Sequence, residues 1–188
     1  MKAKVKFLRL MLLSKCTFSS IKIDLIKEDQ KLDPINPYGL TKLTIENLLA
    51  NLYESSSKEW KIINLRYFNP IGAHPSGLLG EVPMGIPNNI FPLIINTAAG
   101  IQKELKIYGN NWPTKDGTCV RDYIHVVDLA KAHVVALERL IKGSNKSNFE
   151  IFNIGTGKGS TVLEVINSFE KVSGEKLNYQ FADRREGD

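Results

Sequence analysis

Apolar residues recur at Leu40, Leu43, Ile45, Leu48, Leu49 and Leu52, a spacing that predicts an amphipathic helix over roughly 38–53. Pro34 and Pro37 stand just ahead of it, where proline is compatible with a helix start. The run Trp60–Phe68 reads as a mostly buried strand. Gly72, Gly77, Gly80 and Gly85, interleaved with Pro70, Pro75, Pro83 and Pro87, predict an irregular stretch over 69–89, long enough to suggest a functional loop. Beyond it the pattern predicts a helix capped by Asn89 and running to about Gly100, then strands at Leu105–Tyr108 and Val120–Val126. A helix capped by Asp128 and ended by Gly143 follows. A strand at Phe149–Ile154 leads into Gly155–Thr156–Gly157–Lys158–Gly159. Thr161 and Glu164 form a capping box that opens a helix to about Ser173, and Leu177–Phe181 is a last strand. Strands alternate with helices, so the expected class is α/β.

Composition narrows the choice. The chain has 188 residues, 43% of them hydrophobic and 24% charged, which suits a globular protein and excludes low-complexity or collagen-like readings. Lys2, Lys4, Lys6, Arg9 and Lys15 place the whole formal charge of +5 in the first fifteen residues, leaving a balanced remainder. A balanced body argues against nucleic acid as a partner. No apolar run is long enough to cross a bilayer. Arg9 interrupts the apolar centre that a secretory signal needs, so 1–20 reads as a helix-like piece of a larger domain. Cys16 and Cys119 cannot form a disulfide framework, which favours a cytoplasmic setting. With His74, His125 and His133 scattered, no metal-ligand spacing is present.

Tyr38 and Lys42 share a helix face one turn apart. A phenol ionises at a pKa near ~10, and a neighbouring ammonium favours the phenolate, which makes the pair a possible general base. The spacing alone also arises by chance, and the surroundings decide. Asn36–Pro37–Tyr38–Gly39–Leu40–Thr41–Lys42 resembles the active-site helix of the extended short-chain dehydrogenase/reductase family. Leu65–His74, Gly85–Ile90, Asp116–Val126 and Arg185–Asp188 are similar, in order and spacing, to its UDP-glucose (UDP-galactose) 4-epimerases.

The resemblance implies the C-terminal part of a Rossmann-like, doubly wound NAD domain with a smaller α/β substrate-binding domain. It implies an atypical remnant of the NAD domain over 1–32 and the active-site helix and following strand over 33–75. Residues 76–188 would be mainly the nucleotide-sugar portion, with segments returning to the NAD domain. Tyr38 would take the proton of the sugar 4-hydroxyl and Lys42 would lower its pKa and hold the nicotinamide ribose. A third catalytic residue would be Ser20. Tyr67 and Phe68 would line the nicotinamide site, and Asn69, Asn88, Asn89, Arg121 and Arg185 would hold the uridine diphosphate. The implied reaction interconverts UDP-galactose and UDP-glucose with bound NAD, a step of galactose metabolism, in a homodimer joined through the Tyr38 helix.

Guanidinium forks and amides suit diphosphate and uracil, although Asn88 or Asn89 alone would also serve as a helix cap. Arg66 and Asp122 read as charges paired within the fold, and His74 and His125 as packing or hydrogen-bonding residues. The cluster Gly155–Gly159 lacks the last glycine of a dinucleotide fingerprint, since Ser160 stands there, and reads as a tight strand-to-helix turn. No such fingerprint precedes Tyr38, so the chain is expected to be a fragment of a longer protein. A second reading follows from that absence: an inactive chain that binds nucleotide sugar weakly or associates with a full-length subunit.

Overall fold

The computed structural model describes residues 9–12, 27–34, 36–57 and 59–185. They fall into two compact units: the chain leaves the first after Pro70, returns to it at Ile124 and leaves again after Gly157.

The first unit is built on a parallel sheet of order β1-β2-β6, from Arg9–Leu12, Ile62–Tyr67 and Phe149–Ile154. Arg9–Leu12 therefore forms a strand where the sequence suggested a helix; pairing with Asn64–Tyr67 of β2 overrides local pattern. Ile62 to Arg66 are all buried, as expected of a parallel strand covered on both faces. Strand alternation sends Ile63 and Leu65 to one face, where they pack with Ala136 and Leu140 of helix α3 (Val126–Lys142). Arg66 points to the other face and meets Glu46 of helix α1 (Pro37–Ser55). Leu49 is buried on α1, while Leu40 and Leu48 are exposed. The apolar positions of that helix are spread around it, so only part of the expected face is covered. Helix α3 opens at His125, whose Nδ1 accepts from the Val127 N–H at 3.2 Å, and Asp128 lies inside its first turn. The imidazole takes the capping place expected of Asp128. Gly143 ends the helix in the left-handed conformation, as read from the sequence.

The second unit carries the irregular stretch, helices α2 (Ile90–Ala98) and α4 (Val162–Ser173), and a parallel pair of β4 (Leu105–Tyr108) with β8 (Tyr179–Ala182). A further small sheet has the order β3-β5-β7, from Asn69–Ile71, Val120–His125 and Gly159–Thr161. The three-residue β3 occupies the start of the stretch expected to be wholly irregular. Ile94, Leu105, Ile107, Val165, Ile166 and Leu177 form the core. The Thr161–Glu164 capping box is present, with the Thr161 hydroxyl accepting from the Glu164 N–H and the Glu164 carboxylate accepting from the Thr161 N–H.

Candidate active site

Asn36 starts α1 by accepting the Gly39 N–H on its side-chain oxygen at 2.8 Å, with Pro37 in the first turn. Tyr38 and Lys42 follow on successive turns, and the Lys42 Nζ lies over the Tyr38 ring, 5.0 Å from its centroid. Tyr38 is 47% exposed. Because α1 connects two parallel strands it runs antiparallel to them. Glu46, in its third turn, meets Arg66, the penultimate residue of β2. Lys42 and Tyr38 lie one and two turns farther toward the amino end of the helix, at the carboxyl end of the sheet. That end is where open α/β sheets bind their ligands.

Tyr67, the last residue of β2, points to the opposite face of the sheet, its ring 6.3 Å from that of His133 on α3. Burial holds its phenol above the ordinary range. Phe68 is half-buried, and its N–H donates to the Ile154 carbonyl at 3.0 Å, extending the sheet edge. The structure thus brings Tyr38 and Lys42 together on the α1 face and sets Tyr67 on the α3 face, with Phe68 and Asn69 following beyond the carboxyl edge. Ser20 lies outside the described residues.

In the second unit Asn89 occupies the capping position of α2 without a side-chain cap; its amide nitrogen donates to the Glu81 carboxylate at 2.7 Å and so holds the irregular stretch. Asn88 beside it is exposed. Arg121 is half-buried on β5, with one guanidinium nitrogen donating to the Val120 carbonyl at 3.0 Å. The Arg185 guanidinium lies 4.7 Å from the centre of the Tyr108 ring, and its neighbour Arg184 stacks on Trp112 at 3.9 Å.

The turn leading into β5 is organised by Asp116, which sequence reasoning passed over. Its carboxylate accepts from the Thr118 N–H at 2.9 Å and the Thr118 hydroxyl at 2.7 Å, and also from the Thr161 hydroxyl. Burial pushes the Asp116 carboxyl up, but the hydroxyls of Thr161 and Thr118 outweigh it and hold the group below the ordinary range. The signal was available in Asp116–Gly117–Thr118, a turn-forming triplet. Gly117 has a φ of +76°, and a Cβ there would stand 2.2 Å from the Asn110 carbonyl oxygen. Tyr123, farther along β5, is pushed up to about 12 by burial.

The glycine cluster Gly155–Gly159 leads into strand β7, and the helix begins only after it. Gly159 pairs with Asp122, and a Cβ on it would meet the Val120 Cγ1 at 2.2 Å. Its lack of a side chain serves the approach of two strands. The expected strand-to-helix turn therefore contains an additional short strand, and among the described residues no glycine-rich turn opens directly into a helix as a pyrophosphate cradle. Tyr38 is exposed and Lys42 half-buried, a phenol and an ammonium of the kind that hydrogen-bond ribose hydroxyls.

Comparison with known proteins agrees with this architecture. The chain is 53% identical over 163 residues to UDP-glucose 4-epimerase of Bacillus subtilis (strain 168), covering 87% of this chain and 47% of that protein. It is 53% identical over 161 residues to UDP-glucose 4-epimerase 1 of Oryza sativa subsp. japonica, covering 86% and 45% respectively. Among solved structures, UDP-glucose 4-epimerase from Bifidobacterium longum, in complex with NAD+ and UDP, superposes with a TM-score of 0.87 at 42% identity, covering 96% of this chain and 53% of that one. The Stenotrophomonas maltophila enzyme, with bound NAD and formylated UDP-arabinopyranose, gives 0.86 at 41% identity with the same coverage. The chain spans about half the length of the curated relatives it matches. The family model of NAD dependent epimerases and dehydratases matches residues 2–155, and the chain, with its parallel sheet and its Tyr38–Lys42 helix, belongs to that family.

Proposed function

We propose that this chain carries the base-bearing and nucleotide-sugar-binding part of a UDP-glucose 4-epimerase that interconverts UDP-galactose and UDP-glucose. The observation that carries the reading is the Tyr38–Lys42 pair, stacked at 5.0 Å at the carboxyl end of a parallel sheet. Its support is the 53% identity to an enzyme of that name. In this reading the first unit is the remainder of the dinucleotide domain and the second the nucleotide-sugar portion. The Tyr38 phenolate accepts the proton of the sugar 4-hydroxyl and returns it when the other epimer forms. Lys42 favours the phenolate by its charge and hydrogen-bonds the nicotinamide ribose, while Tyr67 and Phe68 line the ring's site. NAD, when bound, supplies temporary storage for the hydride that leaves and returns to C4. Asn69, Asn88, Asn89, Arg121 and Arg185 hold the uridine diphosphate through amide and guanidinium donors, and Ser20 completes the catalytic set.

The exposed Leu40 and Leu48 on α1 support a homodimer formed through that helix. No helix among the described residues is long and apolar enough to cross a membrane, which is compatible with a cytoplasmic enzyme.

The test joins this chain to the amino-terminal half of the Bacillus subtilis relative and follows conversion of UDP-galactose to UDP-glucose in the presence of NAD+. Interconversion is expected, and Tyr38→Phe should lower it by about 10²- to 10⁴-fold, the range for loss of a general base. Full activity in Tyr38→Phe would remove Tyr38 as the base. Binding of UDP-sugar by a fusion that holds NAD+ yet never turns over would favour the inactive reading.

A further inference from the structure

Glu46 continues the line of Tyr38 and Lys42 along α1, each four residues from the next, so Lys42 lies between a phenol and a carboxylate. An ammonium and a carboxylate at that spacing pair readily, and such a pair would draw Lys42 away from Tyr38. The structure shows a different partner for the carboxylate. Arg66 donates from Nε to Glu46 Oε2 at 3.0 Å and from Nη2 to Oε1, so both oxygens are taken by one guanidinium. The pair is buried, Arg66 being 3% and Glu46 6% exposed. The remaining guanidinium arm donates from Nη1 to the Glu28 carbonyl at 2.9 Å, and the Glu28 carboxylate accepts the Asn153 N–H at 2.9 Å. Arg66 is thereby fixed from α1 and from the 27–34 segment, which is in turn held to β6.

We propose that Arg66 is a positioning residue: by occupying both oxygens of Glu46 it keeps that carboxylate off the Lys42 ammonium and leaves Lys42 to Tyr38. The proposal rests on Tyr38 being the base. Helix α1 carries two carboxylates, Glu46 and Glu54, and Glu54 lies about three turns beyond Lys42. Glu46 lies on α1, Arg66 on β2, and Glu28 on the segment beside Arg66. Tyr67 points to the α3 face, where Glu150 of β6 is held by Arg139 at 2.8 Å. Glu46 is therefore the carboxylate placed to compete for Lys42 along the helix.

The test is a titration of the Tyr38 phenol in the full 188-residue chain by ultraviolet absorbance, each protein being read against its Tyr38→Phe counterpart to isolate that tyrosine. Arg66→Met should raise the midpoint by about one pH unit, because the freed Glu46 captures Lys42. Glu46→Gln/Arg66→Met should return it to the wild-type value, since no carboxylate then competes. Equal shifts in the single and double variants would mean that the helix has merely moved, and an unchanged midpoint in Arg66→Met would mean that Glu46 never competes; either overturns the proposal. Should Arg66→Met not fold, Arg66→Lys decides, because one ammonium cannot hold both oxygens in the guanidinium's geometry. A raised midpoint then supports the proposal and an unchanged one overturns it. Turnover is not used, so failure of the base assignment in the activity assay stays separable from failure here.

Discussion

Gly159→Ala separates two meanings of the glycine cluster. An ideal Cβ at that position stands 2.2 Å from Val120 Cγ1, 3.8 Å from Val120 Cβ and 4.0 Å from the Arg121 carbonyl oxygen. Carbon atoms pack best at about 3.5–4.0 Å, so the conflict lies with one methyl group. Val120 has a single side-chain torsion and restricted rotamers, and it cannot swing the methyl away as a long side chain would. Overpacking of this kind costs about 1–3 kcal/mol. The φ of Gly159 is outside the left-handed region, so alanine adds no backbone strain and recovers about 0.4–1 kcal/mol by restricting the unfolded chain. The net loss is about 1–2 kcal/mol, which for a chain of 188 residues lowers Tm by about 3–6 °C. Thermal unfolding reads this, and Val120→Ala removes the offending methyl. Gly159→Ala in the Val120→Ala background should therefore cost far less than in wild type, a coupling visible in a double-mutant cycle. NAD+ affinity of the fusion with the Bacillus subtilis half, measured in parallel, should be unchanged. An unchanged Tm in Gly159→Ala together with abolished NAD+ binding would be the signature of a phosphate cradle and would refute the packing role of Gly159.

Two further predictions concern the neighbouring turn and strand. Asp116→Asn should destabilise the protein at neutral pH, since the charged carboxylate gathers the N–H and hydroxyl of Thr118 and the hydroxyl of Thr161. The folded-state pKa is depressed, so the stabilisation is present above the unfolded value of ~3.9 and lost as pH falls through the folded one. The gap in Tm between wild type and variant should narrow from about pH 4 downward, and a pH-independent gap would refute the role of charge. Tyr123 has the opposite sense: its pKa is raised to about 12, so the unfolded chain ionises first and stability falls as pH climbs from about 10 toward 12. Tyr123→Phe should flatten that alkaline decline in denaturant unfolding measured across the range, and an undiminished slope would place the effect elsewhere.

Much of this arrangement is legible in the order of residues because it depends on local chemistry. Helix α1, the capping box at Thr161, Gly143 at the end of α3 and the strand at Ile62 all follow from spacing and turn residues a few positions apart. The misreadings are non-local. Arg9–Leu12 becomes a strand only because Asn64–Tyr67 offers an edge to pair with. Asp128 yields its capping place to His125, whose ring reaches the Val127 N–H first. Strand alternation sets the Tyr67 ring beside His133 on the α3 face, a placement that depends on the tertiary fold and not on neighbouring residues. The partner of Arg66 is likewise invisible in sequence, being Glu46, twenty positions earlier on another element.

That last pair poses an energetic question whose answer bears on function. Removing two charges from water costs several kcal/mol per ion, and well-packed apolar residues in their place are often neutral or stabilising. Ile62, Ile63 and Leu65 show that the surrounding strand is suited to such residues, each being almost wholly inaccessible. Stability alone is therefore a weak reason for an ion pair here. Its placement supplies a stronger one. Glu46 is one turn from Lys42, and Arg66 is one residue from the end of β2, where the sheet presents its ligand-binding edge. A guanidinium fork fixes both the distance and the rotation of α1 against the strand, which two apolar side chains sliding past one another would not do. The same fork neutralises the carboxylate nearest to Lys42 along the helix. Geometry and charge at the Tyr38–Lys42 pair are thus set by one contact, and Glu46→Gln/Arg66→Met separates them: it leaves Lys42 without a competitor while releasing the helix from its fixed rotation. If placement matters, that variant keeps the wild-type phenol midpoint and loses turnover in the fusion. Unimpaired turnover would reduce the pair to a charge filter.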